Sequence, residues 1–96
     1  MAFFVATFRY DADPSALAAT RPERFAYFGE LEASGALLAS GQLTGGELGD
    51  GLLVLDAPTE DAARALIDGD PFMRERYVSH LEVAPWNPTA GRWINA

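Results

Sequence analysis

The chain has 96 residues, the length of one small domain, taken as residues 1–96 with a tail over 87–96. Hydrophobic residues make up 49% of it, which excludes disorder, and the lack of cysteine excludes disulfides, thiol catalysis and thiolate metal sites. The net charge of −7, with seven arginines and no lysine, argues against nucleic acid or an anionic membrane as partner.

The N-terminal MAFFVATFRYD has no basic n-region and is too short for a secretory signal; no run reaches transmembrane length, and the composition fits the cytoplasm. AFFVATFRY reads as a first strand, with Phe4, Ala6, Phe8 and Tyr10 on one face and Phe3, Val5, Thr7 and Arg9 on the other. Both faces begin apolar, so both are expected to be covered. DADPSALAAT reads as a loop. TRPE then signals a helix start: Thr20 as cap, Pro22 at an early position and Glu23 closing a capping box. Phe25, Phe28 and Leu31 fall at helical spacing as its buried stripe, and Ser34-Gly35 ends it.

ALLASGQL is a second strand, and TGGELGDG a glycine-rich hairpin loop. A phosphate-binding role for that loop is disfavoured by its two acidic residues and by the missing Gly-Lys-Ser/Thr ending. LLVLDA, apolar on both faces, reads as a central strand. PTEDAARALIDGD is a second helix. Thr59 caps it, Glu60 and Asp61 sit at the positive end of its dipole, Ala62, Ala63, Leu66 and Ile67 face inward, and Gly69 ends it. YVSHLEVAPW is the last strand, with Leu81 and Val83 toward the helices and Val78, His80 and Glu82 away from them.

This order is βαββαβ, the ferredoxin-like α+β plan: a four-stranded antiparallel sheet with both helices on one face. The other face carries Phe and Leu beside polar groups, and a second copy of the sheet is the simplest cover, so a homodimer is expected. Trp93 and Ile94 in the tail are expected to reach the partner subunit or to close over a pocket.

Three segments carry a family resemblance. RPERFAYF resembles the Arg-Pro-x-His-Leu-x-x-Leu helix start of the YciI-like (YCII-related) family; SGALLASGQL is similar to its Gly-x-Leu-Leu-x-x-Gly-Pro strand; DGDPFMRERYVSHLEVAPW resembles its closing Asp-Pro-Phe/Tyr segment with the following His and Pro-Phe/Trp. The likeness spans roughly residues 3–86. It implies a small dimeric α+β barrel protein of the bacterial cytoplasm, in which a cleft His and Asp serve acid–base chemistry and a few relatives act in dehydrochlorination or lactone isomerisation. On the matching positions it marks Arg21, Gly41, Asp70, Pro71, Phe72 and His80. The family's His on the first helix is Arg24 here, and an arginine cannot serve as a base near neutral pH. The Pro after Gly41 is replaced by Gln42, and the Gly-Ser that opens the third strand by Gly51-Leu52.

Each candidate residue has two readings. Asp70 suits the cap of a new helical turn opened by Pro71, and equally an acceptor at a cleft mouth. His80 suits an interface residue, and is also the one side chain here fitted to proton transfer near neutrality. Arg21 and Arg24, about one helical turn apart, are either solvated salt-bridge partners or a positive pocket for a small carboxylate. One His with scattered carboxylates is a poor metal set, nothing marks haem, flavin or another cofactor, and Tyr10, Tyr27, Trp86 and Trp93 read as core or interface residues. The expected function is binding of a small anionic or aromatic metabolite near the dimer interface. A cofactor-free lyase or isomerase step would use His80 as acid–base and Asp70 to orient it, with Arg21 and Arg24 holding a carboxylate; the alternative is a non-catalytic binding or assembly module.

Overall fold

The computed structural model describes residues 2–92; Trp93 and Ile94 lie outside them. Its elements are β1 Phe3–Tyr10, α1 Pro14–Ala33, β2 Leu37–Gln42, β3 Gly51–Asp56, α2 Glu60–Asp68, the short α3 Pro71–Arg74 and β4 Val78–Trp86. The strands form one antiparallel sheet in the order β2-β3-β1-β4, the expected ferredoxin-like arrangement with β1 and β3 in the centre. Alternation along β1 buries Phe4, Ala6 and Phe8, which join Leu53 and Leu55 of β3, Phe28 and Leu31 of α1, and Ala63 and Ile67 of α2 in one core. No helix among the described residues is long and apolar enough to cross a membrane.

Three expectations are corrected. The segment read as a loop is the first part of α1, which starts at Pro14 after Asp13 and runs through Pro22. The Ala- and Leu-rich stretch before Thr20 favours helix strongly enough to carry it past Pro22. Pro22 gives up its bond to the Ala18 carbonyl, and both residues are exposed, so water can take that acceptor. Second, Phe25 is 64% exposed, and Arg24 occupies the inward position instead, four residues before Phe28 and seven before Leu31. Third, Val78 packs on the core. Arg9 pairs with His80 but Tyr10 pairs with Val78, so Ser79 is an extra residue that turns Val78 to the opposite face.

The local end signals hold elsewhere. Thr59 accepts the Ala62 amide at 3.1 Å, and Gly35, at φ 86°, continues the chain in the left-handed region just past α1. Gly49 is the glycine that the hairpin most needs: at φ 135°, a Cβ there would lie 2.6 Å from the Phe8 carbonyl oxygen.

Candidate functional site

Helix α1 aims Arg24 into the interior, where the guanidinium is enclosed by aromatic rings. Its Cζ lies 4.2 Å from the Phe72 ring centre, 4.8 Å from Phe28, 5.2 Å from Tyr10 and 5.3 Å from Phe8, all within cation–π range. A cation so placed requires a counter-charge, and Asp70 supplies it. Nε donates to Oδ1 and Oδ2 at 3.1 Å each, Nη2 donates to Oδ2 at 3.0 Å, and Nη1 donates to the Tyr10 hydroxyl at 2.6 Å.

Asp70 is fully buried. Its Oδ1 also accepts the Phe72 amide at 3.0 Å, which caps α3 and places Phe72 against the guanidinium. Both carboxylate oxygens are thus engaged by protein donors. The expected cap is present, and its second partner is Arg24, the residue that stands at the family's histidine position.

Beside this pair, between α1 and the β2–β3 end of the sheet, lies an open cleft of about 420 Å³. Phe25, Phe28 and Leu53 give it apolar walls; Arg21, Arg24, Tyr10, Ser40, Gln42 and Asp50 give it polar groups. Arg21 and Arg24 therefore meet at one cavity. Asp70 stands behind Arg24 and does not line it. His80 does not line it either: it pairs with Arg9, shares that residue's face of the sheet, opposite to Tyr10, and contacts Glu82 at 3.5 Å. Within a single chain, Asp70 and His80 therefore do not meet at this cleft. Among the described residues no three His, Cys, Asp or Glu side chains gather as a metal-binding group.

Tyr27 buttresses the same region from the other side. Its hydroxyl donates to the Leu66 carbonyl at 2.7 Å and packs on Gly69, where a side chain would collide with it. Burial raises its pKa above the ordinary 10.0, and the negative charges of Asp70, Glu30 and Asp68 raise it further.

Sequence reasoning missed Tyr10, Ser40, Gln42 and Asp50 as cleft residues. Tyr10 could have been flagged by alternation, since it shares the face of Phe8 at the end of β1. Asp50 had no comparable signal: its role, accepting the Tyr10 amide at 2.8 Å, depends on how the hairpin folds back.

A family model for the YCII-related domain matches residues 2–87. No curated protein matches the sequence significantly. Among solved structures, the chain is similar to the 5-chloro-2-hydroxyhydroquinone dehydrochlorinase of Burkholderia phenoliruptrix AC1100, in complex with 2,5-dihydroxybenzoquinone, with 21% identity, 91% of this chain and 94% of that one covered, and a TM-score of 0.69. It is also similar to an antibiotic biosynthesis monooxygenase (13% identity, 94% and 100% covered, TM-score 0.57) and to a NIPSNAP domain protein from Burkholderia xenovorans (17%, 94% and 96%, TM-score 0.51). At these identities the likeness speaks for the fold alone.

Proposed function

This chain belongs to the YCII-related family, and on that premise we propose that its cleft binds a small, flat, oxygenated aromatic or quinonoid molecule. The observation that carries the reading is the cleft itself: about 420 Å³, within the size of small-molecule sites, with Phe25 and Phe28 on one side and two arginines reaching it from α1. Arg21 is the exposed arginine, free to meet an anionic oxygen, while Arg24 contributes a fixed positive charge. Ser40 and Gln42 add neutral hydrogen-bonding groups along β2. The 2,5-dihydroxybenzoquinone held by the dehydrochlorinase is a ligand of this shape on the same fold and supports the reading.

In this proposal Asp70 acts through Arg24, as the group that orients it, rather than as a base. A cofactor-free lyase or isomerase step using His80 would require a second protomer, because within one protomer His80 lies on the far face of the sheet. That face presents Phe3, Val5, Leu52, Val54, Ala84 and Trp86, and we propose that a second copy of the chain covers it. The geometry favours binding over a purely structural module, since an assembly role makes no use of a cleft lined by two arginines.

The test is titration of the protein with benzoate, salicylate and 2,5-dihydroxybenzoquinone, followed by calorimetry and by ligand absorbance. Saturable binding, weakened about tenfold or more in Arg21→Ala for the carboxylates, is expected. Absence of binding to every probe defeats the reading. Light scattering on the purified chain tests the dimer, and assays of His80→Ala with bound ligand test turnover.

A further inference from the structure

We propose that the Tyr10 hydroxyl is the hydrogen-bond donor that seats the ligand, so that the cleft selects molecules carrying a carbonyl or enolate oxygen. This deepens the binding reading above and rests on it.

Donors and acceptors around the hydroxyl point one way. The Tyr10 oxygen accepts from Arg24 Nη1 at 2.6 Å, and arginine is a donor only, so the phenolic proton is not used in that contact. The hydroxyl donates to no acceptor among the described residues. Tyr10 lines the cleft, so an acceptor for this proton can come from the cleft's contents.

The surroundings hold it in place for that task. The Tyr10 amide is fixed on Asp50 Oδ2 at 2.8 Å. The ring stacks on Phe8 at 6.4 Å and meets Phe72 edge-on at 5.3 Å. The hydroxyl sits over Gly51, where a Cβ would collide with it, so glycine at 51 is what gives the hydroxyl its position. A donor that is already oriented loses little freedom on binding.

The guanidinium adds a directional effect. A cationic donor on the phenol oxygen draws electron density from the O–H bond and makes that proton a stronger donor. Asp70 keeps Arg24 turned toward Tyr10, so the chain Asp70–Arg24–Tyr10 ends in a polarised O–H at the cleft. A carbonyl or enolate oxygen, being acceptor only, fits that end; an ammonium or other pure donor does not.

The test is Tyr10→Phe, which keeps the ring and removes only the oxygen. Affinity for 2,5-dihydroxybenzoquinone should fall about tenfold to a hundredfold, and the visible band of the bound chromophore should move back toward its position in water. A purely structural role would move the unfolding midpoint and leave that band in place. Parental affinity and an unchanged band in a folded Tyr10→Phe protein overturn the assignment while leaving the binding reading intact. Failure of the parent protein to bind any probe overturns both. Should the variant not fold, the parent is titrated with acetophenone and α-methylstyrene, near-isosteres that differ in the carbonyl oxygen. A preference of about tenfold for the ketone is expected, and equal affinity overturns the proposal.

Discussion

Two arginine–carboxylate pairs in this molecule have nearly the same length and opposite surroundings. Arg24 and Asp70 meet at 3.0 Å with side chains 10% and 0% exposed; Arg64 and Glu60 meet at 3.1 Å, one helical turn apart on α2, with side chains 45% and 43% exposed. Separation therefore says little about what each pair does. The surface pair trades one set of water contacts for another and gains little. In the buried pair Asp70 has no water to return to and Arg24 little, so each partner depends on the other, and the pair fixes the geometry of a cleft in doing so.

The sharpest way to break this comparison is to remove one buried partner. Asp70→Ala should cost about 3–5 kcal/mol in urea unfolding, because it strands the Arg24 charge and uncaps α3. Removing both charges in Arg24→Met/Asp70→Ser should recover most of that loss, since serine keeps the cap and methionine fills the aromatic cage. A loss from Asp70→Ala no larger than that from Arg64→Ala would erase the distinction drawn between the two pairs.

Next in size is Gly51→Ala. The added Cβ meets the Tyr10 hydroxyl and should cost about 1–3 kcal/mol, with a matching drop in probe affinity, although it touches neither charge. Calorimetric unfolding alongside probe titration would show whether the cleft and the ion pair move together.

A subtler readout is the titration of Tyr27. Its folded pKa is raised, so the folded state holds that proton more tightly than the unfolded chain does. The associated stability is fully present below pH 10.0 and is lost as pH rises through the folded value. Phenolate absorbance should show this late tyrosine, and Asp70→Asn should bring it part of the way back toward 10.0 by removing one of the nearby negative charges. The smallest effect belongs to the surface pair. Arg64→Ala should change stability by at most about 0.5 kcal/mol, with even that fading at high salt.

Much of the fold was legible because local rules and burial agreed. Alternation in AFFVATFRY, the Thr59 cap and the Ser34-Gly35 stop each specify an end or a face on their own. The start of α1 was not legible in this way, because two Pro-containing signals compete there. Thr20-Arg21-Pro22 has the stronger capping pattern, yet the helix-favouring residues after Pro14 decide the outcome, and capping is worth too little to stop them. Val78 was misplaced because a bulge changes the period without leaving a compositional mark.

The site was half legible. The resemblance singled out Asp70 and the odd residue Arg24, but a charge on a helix normally implies solvent, and nothing in the spacing says that a carboxylate 46 residues away will bury it. Phe25 looked the better core residue for the same reason. The resemblance marks Asp70 and His80 together, and within a single chain the sheet places His80 on the Arg9 face, away from the helices that bury Asp70.

The four residues of α3 are too few to form a helix in isolation, and the Phe72 amide that Asp70 accepts is one of the bonds that define it. That amide therefore works as a gauge. It can exchange its hydrogen for deuterium only when the carboxylate lets go, and letting go also releases Arg24 from the cleft wall. Its exchange rate should track the opening of the whole binding region, so that one backbone proton reports, without any ligand present, how often the cleft loses its shape.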